Sequence, residues 1–271
     1  MPFFQSGEKR LFYHRVDAGA AQKAAAPTLV FIHGLGSSHA FYGSVMNQLA
    51  GAGYSSAALD VHGSGMSELA PGSAGPTFES IGKDVESLLA HLKLAPEQVI
   101  VGGHSMGGIV VSNLAAQHNL KGAVLIGPVL PKPALGEIFT ARIAKVREAG
   151  MEAMADTIPV AATGSRSTQT HKAFIRALIL SQKVEGYAGV CQAIAQAERP
   201  QYSKAKSPVL ILAGSEDKTS PVADSRVILE EWGSDDKSKR LEILEGVGHW
   251  HCIEAADEVG DKILNLLSQL S

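Results

Sequence analysis

The chain has 271 residues, 45% of them hydrophobic and 19% charged, with a mean hydropathy of +0.07, which is enough apolar content for a sizeable core. Its formal net charge is −3 and its pI is near 6.4, so it lacks the clustered positive charge that nucleic acid or an anionic membrane asks for. No apolar run approaches the roughly 20 residues of a membrane span. The first residues turn polar too early for a secretory leader, and Cys191 and Cys252 are too few for a disulfide framework. A cytoplasmic, reduced setting is the expectation, with a single Cys191–Cys252 bridge left open.

Residues 8–15 read as an early strand after a Ser6-Gly7 turn. Residues 18–27 form an Ala-rich connector closed by Pro27. Residues 28–32 are β-branched and apolar without alternation, the pattern of a central strand covered on both faces. A glycine-bearing turn at 33–36 follows. Residues 41–53 carry helical spacing at Phe41, Val45 and Leu49, and residues 54–60 give the next strand. A turn at 61–67 and an irregular loop at 70–77 lead to a helix over 78–93, with Ile81, Val85, Leu88, Leu89 and Leu92 on one face. Strands are predicted at 98–101 and 121–127, separated by a helix from 109. Strands alternating with helices imply a parallel sheet with right-handed crossovers.

After Pro128, Pro131 and Pro133 the rhythm breaks. Residues 134–200 carry helical patterns and no strand. The segment 131–206 therefore reads as a helical insertion, a cap over the C-terminal edge of the sheet. Residues 209–213 restart the sheet, 222–232 are helical, 240–244 form the last strand and 254–270 the final helix. The core is thus expected from 1–130 and 207–271, and the fold class is α/β, mostly parallel, with helices on both faces.

Chemistry concentrates at Gly102-Gly103-His104-Ser105-Met106-Gly107-Gly108, between a strand and a helix. A serine flanked by glycines at such a turn is a nucleophile elbow, G-x-S-x-G, in which the tight backbone leaves no room for neighbouring Cβ atoms. A serine hydroxyl is a weak nucleophile and needs a base within hydrogen-bond reach. His249, in the Gly-Val-Gly-His-Trp-His run after the last strand, supplies one. The imidazole in turn needs a carboxylate to fix its tautomer, and Asp217, after the preceding strand, offers it. Glu216 and His251 are the nearby rivals, with Glu216 one step nearer the strand and His251 read as a pocket or surface residue. The order Ser105, Asp217, His249 is that of α/β-hydrolases. The backbone N–H groups of Met106 and of Leu35, the latter in the loop after the first central strand, are the candidate oxyanion donors. His104 reads as a structural hydrogen-bonding group. His14, His91 and His118 read as surface or element-end residues. No histidine pair has metal-ligand spacing, so neither metal nor other cofactor is expected.

The motifs H-G-x-G at 33–36, D-x-x-G-x-G-x-S at 60–67, G-H-S-M-G-G at 103–108, G-x-x-D-x-x-x-P at 214–221 and G-H-W at 248–250 carry a resemblance to the α/β-hydrolases over nearly the whole chain. Within that family the predicted cap most resembles that of 3-oxoadipate enol-lactonases, at residues 141–151 and in the E-G-Y-A stretch of 185–194. Those lactonases usually carry Asn-Ser where this chain has His33-Gly34, and a Trp in mid-cap where it has residues 158–162. The resemblance implies hydrolysis of a lactone or small carboxylic ester through an acyl-enzyme. A carboxylesterase with perhydrolase activity, a carbon–carbon bond hydrolase of ring-cleavage products and a slow-turnover ligand receptor are the rival readings. The expected pocket walls are Phe41, Val129, Leu130, Phe139, Ile143, Tyr187, Val222 and Trp250. Arg142, Arg147, Arg166 and Arg176 are the cap cations available to a substrate carboxylate. The expected partner is a small-molecule ester or lactone, with self-association left open.

Overall fold

Apolar runs too short for helices and buried on both faces set the centre of the molecule. The computed structural model describes residues 2–23, 25–69 and 72–270. Strand β1 (Phe3–Ser6) and strand β2 (Lys9–Val16) form an antiparallel hairpin, with Gly7 at φ +59 in its turn. Then come β3 (Thr28–Ile32), α1 (Gly43–Gly51), β4 (Ser56–Leu59), α2 (Phe78–Leu92), β5 (Val99–His104), α3 (Gly107–Gln117) and β6 (Gly122–Ile126). The chain next runs through α4 (Ala134–Ala149), α5 (Glu152–Ala155), α6 (Ile158–Ala161), α7 (Gln169–Leu180) and α8 (Val184–Ala195) without a strand among the described residues. It returns to the sheet as β7 (Val209–Gly214), α9 (Val222–Glu231), β8 (Lys239–Leu244), α10 (His251–Glu254) and α11 (Ala256–Leu270).

The eight strands lie in the order β1-β2-β4-β3-β5-β6-β7-β8, parallel from β4 through β8 and antiparallel at β1 and β2. Strands β4, β5, β6 and β7 are buried at every residue, as a parallel sheet covered on both faces requires. The helices pair as α1 with α11 and α2 with α3. The registers Ile32 to Gly103, His104 to Ile126 and Gly214 to Leu244 bring the C-terminal ends of β3, β5, β6, β7 and β8 to one edge. Ligands of open α/β sheets bind at that edge.

Three elements differ from the expectation. Strand β1 was not anticipated, because four residues are too few to show a period. The helix expected over 41–53 starts as a 3-10 turn at His39–Tyr42, where the Ser38 hydroxyl accepts from the Ala40 N–H at 3.3 Å, and becomes α-helical only at Gly43. The final helix is two, because Ala255 at φ −146, ψ 47 breaks the chain between α10 and α11. Within the loop expected at 70–77, residues 70 and 71 lie outside the described residues.

The inserted helices pack on each other, α4 against α8 and α5 against α7, and also on the sheet's loops. Helix α8 presents Gly186 to Gly63 and Gly189 to Gly75, close enough that a side chain on Gly186 would run into the Gly63 carbonyl. Cys191 and Cys252 are both buried and free. No helix among the described residues is long and apolar enough to cross a membrane.

Candidate active site

The turn from β5 to α3 holds Ser105 at φ +55, a left-handed conformation that disfavours any residue with a Cβ by roughly 1–2 kcal/mol. Its surroundings enforce it. The Ser105 N–H donates to the Ile126 carbonyl at 2.9 Å, and the Ser105 carbonyl accepts from the Gly108 N–H at 3.0 Å and the Val129 N–H at 3.2 Å. A side chain on Gly103 would meet the Gly107 carbonyl, and one on Gly107 the Ile32 carbonyl. The hydroxyl is thereby held at the sheet edge, where the ends of β7 and β8 deliver Asp217 and His249.

Those three side chains form one hydrogen-bonded chain. The Ser105 Oγ lies 2.9 Å from His249 Nε2, and His249 Nδ1 lies 2.8 Å from Asp217 Oδ2. Asp217 accepts two more bonds on Oδ1, from the Thr219 and Ser220 N–H groups at 2.8 Å each. Burial alone would raise this carboxyl. The His249 charge and hydrogen bond, then His251 and the Ser220 N–H, outweigh burial and hold it below the usual carboxylate range. An acceptor-only Asp217 makes Nδ1 the protonated ring nitrogen and leaves Nε2 free to accept from the serine. Glu216 turns away, accepting from the Ser165 N–H and hydroxyl at 2.7 and 2.6 Å.

The loop after β3 crosses directly over the elbow. A Cβ on Gly34 would lie 2.7 Å from His104 Nδ1 and 3.0 Å from the Ser105 Cβ, so only glycine lets the loop pass this close to the elbow side chains. His33 locks the loop. Its Nδ1–H donates to the Gly34 carbonyl at 2.7 Å, and its Nε2 accepts from the Val61 N–H at 3.0 Å. Burial keeps it neutral by lowering its pKa. Neither the Leu35 nor the Met106 N–H has a protein acceptor among the described residues, so both are available beside Ser105.

Asp60, in the second glycine-rich motif, buttresses this loop by accepting from the His39 N–H and imidazole at 2.6 and 2.9 Å and from the Met66 N–H at 2.8 Å. Burial would raise it, but the His39 bond, the His33 and His39 charges and the Met66 N–H together bring it below its ordinary value.

Two further histidines surround the chain. His104 Nε2–H and His251 Nδ1–H both donate to the His249 carbonyl, at 2.7 and 2.9 Å. His251 is fully buried, neither in the pocket nor at the surface as expected, because Gly127 at φ +49 leaves the space a side chain there would take from it. Burial lowers its pKa to about 4, against the opposing pull of Asp217. Burial also takes the His104 pKa well below the ordinary histidine value, with His249 and His251 adding to it.

A cavity of about 90 Å³ opens on Ser105 and His249. Of the expected walls it takes Val129, Phe139, Tyr187 and Trp250, with Leu35 from the loop after β3. Four expected walls lie elsewhere. Phe41 stacks face to face on His104 at 4.3 Å and is occupied there. Leu130 is buried in the hydrophobic core. Ile143 faces a separate groove with Arg147 and Gly189, since Leu135, Phe139 and Arg142, at i, i+4 and i+7, own the cavity face of α4. Val222 opens α9 past the turn made by Asp217, and Thr219 takes its place.

Sequence reasoning missed Leu135, Ile158, Ala162, Ile194 and Thr219, and did not single out Arg142 among four cap arginines. The i, i+4, i+7 spacing was the available signal. The Trp250 Nε1–H is buried without an acceptor among the described residues. Burial raises the Tyr187 phenol above its ordinary range, with the Arg142 charge acting against it. A larger groove of about 650 Å³, lined by Asn113, Gln117, Gln196 and Arg199 among others, contains none of the strand-end residues. No cluster of three or more His, Cys, Asp or Glu suited to a metal ion occurs among the described residues.

Comparison with known proteins gives a consistent pattern. The Hydrolase_4 family, described as serine aminopeptidase, S33, matches residues 23–256. The 3-oxoadipate enol-lactonase 2 of Acinetobacter baylyi is 30% identical over 158 residues, 56% of this chain and 58% of that protein. The match thus spans little more than half the length of that relative. The crystal structure of the enol-lactonase from Burkholderia xenovorans LB400 superposes with a TM-score of 0.85 at 26% identity, covering 98% of this chain and 100% of that one. A thermophilic esterase from Thermogutta terrifontis shares the fold, with a TM-score of 0.84 at 22% identity over 100% of this chain and 97% of its own.

Proposed function

This chain belongs to the Hydrolase_4 family of α/β-hydrolases, and from that premise we propose that it is a serine hydrolase which opens a lactone or cleaves a small carboxylic ester through an acyl-enzyme. The observation that carries the reading is the Ser105 Oγ–His249 Nε2 approach of 2.9 Å at the wall of a cavity, backed by Asp217. The likeness to enol-lactonases supports the ester or lactone class.

In the mechanism, His249 Nε2 takes the Ser105 proton as Oγ attacks the carbonyl carbon. The Leu35 and Met106 N–H groups hold the oxyanion, a contribution worth roughly 2.7–4 kcal/mol per donor in related sites. Asp217 stabilises the imidazolium. The tetrahedral intermediate collapses by breaking the acyl C–O bond, and His249 returns its proton to the leaving oxygen. In a lactone that oxygen stays tethered to the acyl chain. His249 then takes a proton from water, the hydroxide attacks the acyl carbon, and the acid leaves as Ser105 regains its proton.

The helical cap of residues 131–206 chooses the substrate. A cavity of about 90 Å³ is small beside the 300–1,000 Å³ of sites for drug-sized ligands, and it favours compact acyl groups. Its cation is Arg142, half-buried and stacked on Phe139 at 4.9 Å, which makes a carboxylate-bearing substrate the best electrostatic fit. We place the enzyme in the cytoplasm, where two free thiols stay reduced. The test is a pH-stat screen of lactones and aryl esters with the wild type beside Ser105→Ala. Hydrolysis of at least one class, lost by on the order of 10³-fold or more in the variant, is expected. Turnover of every accepted ester at wild-type rates by Ser105→Ala overturns the reading.

A further inference from the structure

The segment between α6 and α7 ties the inserted helices to both loops that carry the proposed acid and base. The His249 N–H donates to the Ala162 carbonyl at 2.8 Å, and the Arg166 N–H donates to the Gly246 carbonyl at 3.1 Å. On the acid side, Ser165 donates twice to Glu216, the immediate neighbour of Asp217. Between these contacts sits Glu254, buried at 5% exposure in α10. Its Oε2 accepts from the Gly164 N–H at 2.7 Å and from the Gly248 N–H at 3.1 Å, and its Oε1 accepts from the Trp250 N–H at 2.9 Å. It has no ion-pair partner among the described residues. A buried carboxylate is costly unless donors meet it, so these three N–H groups are held in place as firmly as the charge itself.

We infer that Glu254 is a positioning residue for His249, and that through Gly164 it makes the placement of the base depend on the seating of the inserted helices. The inference rests on the reading of His249 as the base. Glu254 grips the residues on either side of His249 in sequence, Gly248 and Trp250. Ala162 holds the N–H of His249 itself, while His104 and His251 hold its carbonyl. The N–H and carbonyl of His249 and the N–H groups of both its neighbours are thus all bonded, and three of these holds come from the insertion or pass through Glu254, which also binds Gly164. Gly164 and Gly248 pack backbone on backbone. A side chain on Gly164 would strike the Gly246 carbonyl and come within 2.6 Å of the Gly248 nitrogen. A shift of about 1 Å between base and nucleophile costs on the order of 10²-fold in rate.

The test compares Glu254→Gln, Gly164→Ala, Arg147→Ala and Ser105→Ala on an aryl acetate, reading kcat and KM separately with a thermal melt of each protein. Glu254→Gln keeps the shape but turns an NH2 group toward a backbone N–H. Gly164→Ala leaves Glu254 intact and pries the segment from the His249 loop. Both are expected to lower kcat roughly 10–100-fold with KM within about twofold, in folded protein. Arg147→Ala, which removes only an exposed pair with Glu185, is expected to keep wild-type values. If Glu254→Gln does not fold, Gly164→Ala decides. Folded variants with wild-type kcat, beside an inactive Ser105→Ala, overturn the positioning role alone. An active Ser105→Ala overturns the assignment of His249 as base.

Discussion

At the sheet edge, Ser105 sits at φ +55, and Gly103, Gly107 and Gly34 each leave no room for a side chain. Across the cavity, the inserted helices contribute Leu135, Phe139, Arg142, Ile158, Ala162, Tyr187 and Ile194 from unstrained helices or their ends. The edge is fixed by contacts between backbones a few residues apart or on adjacent strands. The wall opposite is fixed by which face each helix turns inward. Changes at the edge should therefore remove the fold or the rate on every substrate, whereas changes in the wall should alter which substrate is held.

The harshest way to probe the edge is Gly103→Ala. The new methyl would collide with the Gly107 carbonyl and lie 2.8 Å from the Gly108 nitrogen, both backbone atoms that cannot rotate away. A loss of about 4 kcal/mol or more is expected, seen as a large drop in denaturation midpoint or as insoluble protein. A variant with wild-type stability would show that the elbow is far more pliable than its contacts indicate.

Asp217→Asn leaves the shape of the site and changes its protonation logic. The amide donates where the carboxylate accepted, favouring the wrong tautomer of His249. A fall of about 10⁴-fold in kcat is expected across lactones and linear esters alike, with melting temperature little changed. Loss confined to one substrate class would move Asp217 out of the shared machinery.

His251 gives the edge a signature in acid. It stays neutral when folded, with a pKa of about 4, whereas in the unfolded chain it titrates near 6.5. A folded pKa below the unfolded one means that the unfolded state binds the proton first. Stability is then complete above pH 6.5 and falls as pH drops toward 4. Urea denaturation at pH 7.5 and 4.5 should show a loss to which the buried His104 and His33, whose pKa values burial also lowers, contribute in the same direction, and His251→Asn should remove about 2–3 kcal/mol of it. Asp217 and Asp60 do not confuse the window, because their folded pKa values lie below the ordinary carboxylate range and their stabilisation persists to lower pH. Equal slopes in wild type and variant would exclude His251 as the source.

The contrast between edge and wall also decides what could be read from the sequence. Residues 28–32 and 209–213 declare themselves as buried strands because both faces are apolar, and Gly-x-Ser-x-Gly declares a turn that only glycines permit. The fold and the three residues of the hydrogen-bonded chain were legible for that reason. Phe41 was misplaced because its stacking on His104 is a contact 63 positions away in sequence. Glu216 and Glu254 carry no motif that reveals their partners, Ser165 and Gly164, which arrive from the insertion. Burial of His251 likewise depends on Gly127, just past the end of β6. Local backbone demands are written in local sequence, and the packing of one segment on a distant one is not.

The gentlest probe is Arg142→Gln, on the wall. Arg142 reaches the cavity from α4, stacks on Phe139 and has no carboxylate partner among the described residues. Charge-assisted hydrogen bonds contribute about 1.5–3 kcal/mol, so losing one should raise KM for a carboxylate-bearing lactone or ester at least roughly 10-fold. The methyl ester of the same compound, which offers no charge, should keep its KM within about twofold. Since Ser105, His249 and Asp217 are untouched, kcat on both compounds should hold, and a selective rise in KM would assign the choice of substrate to the inserted helices. An equal rise for acid and methyl ester would mean that Arg142 shapes the wall by packing alone, its guanidinium serving Phe139 rather than the ligand.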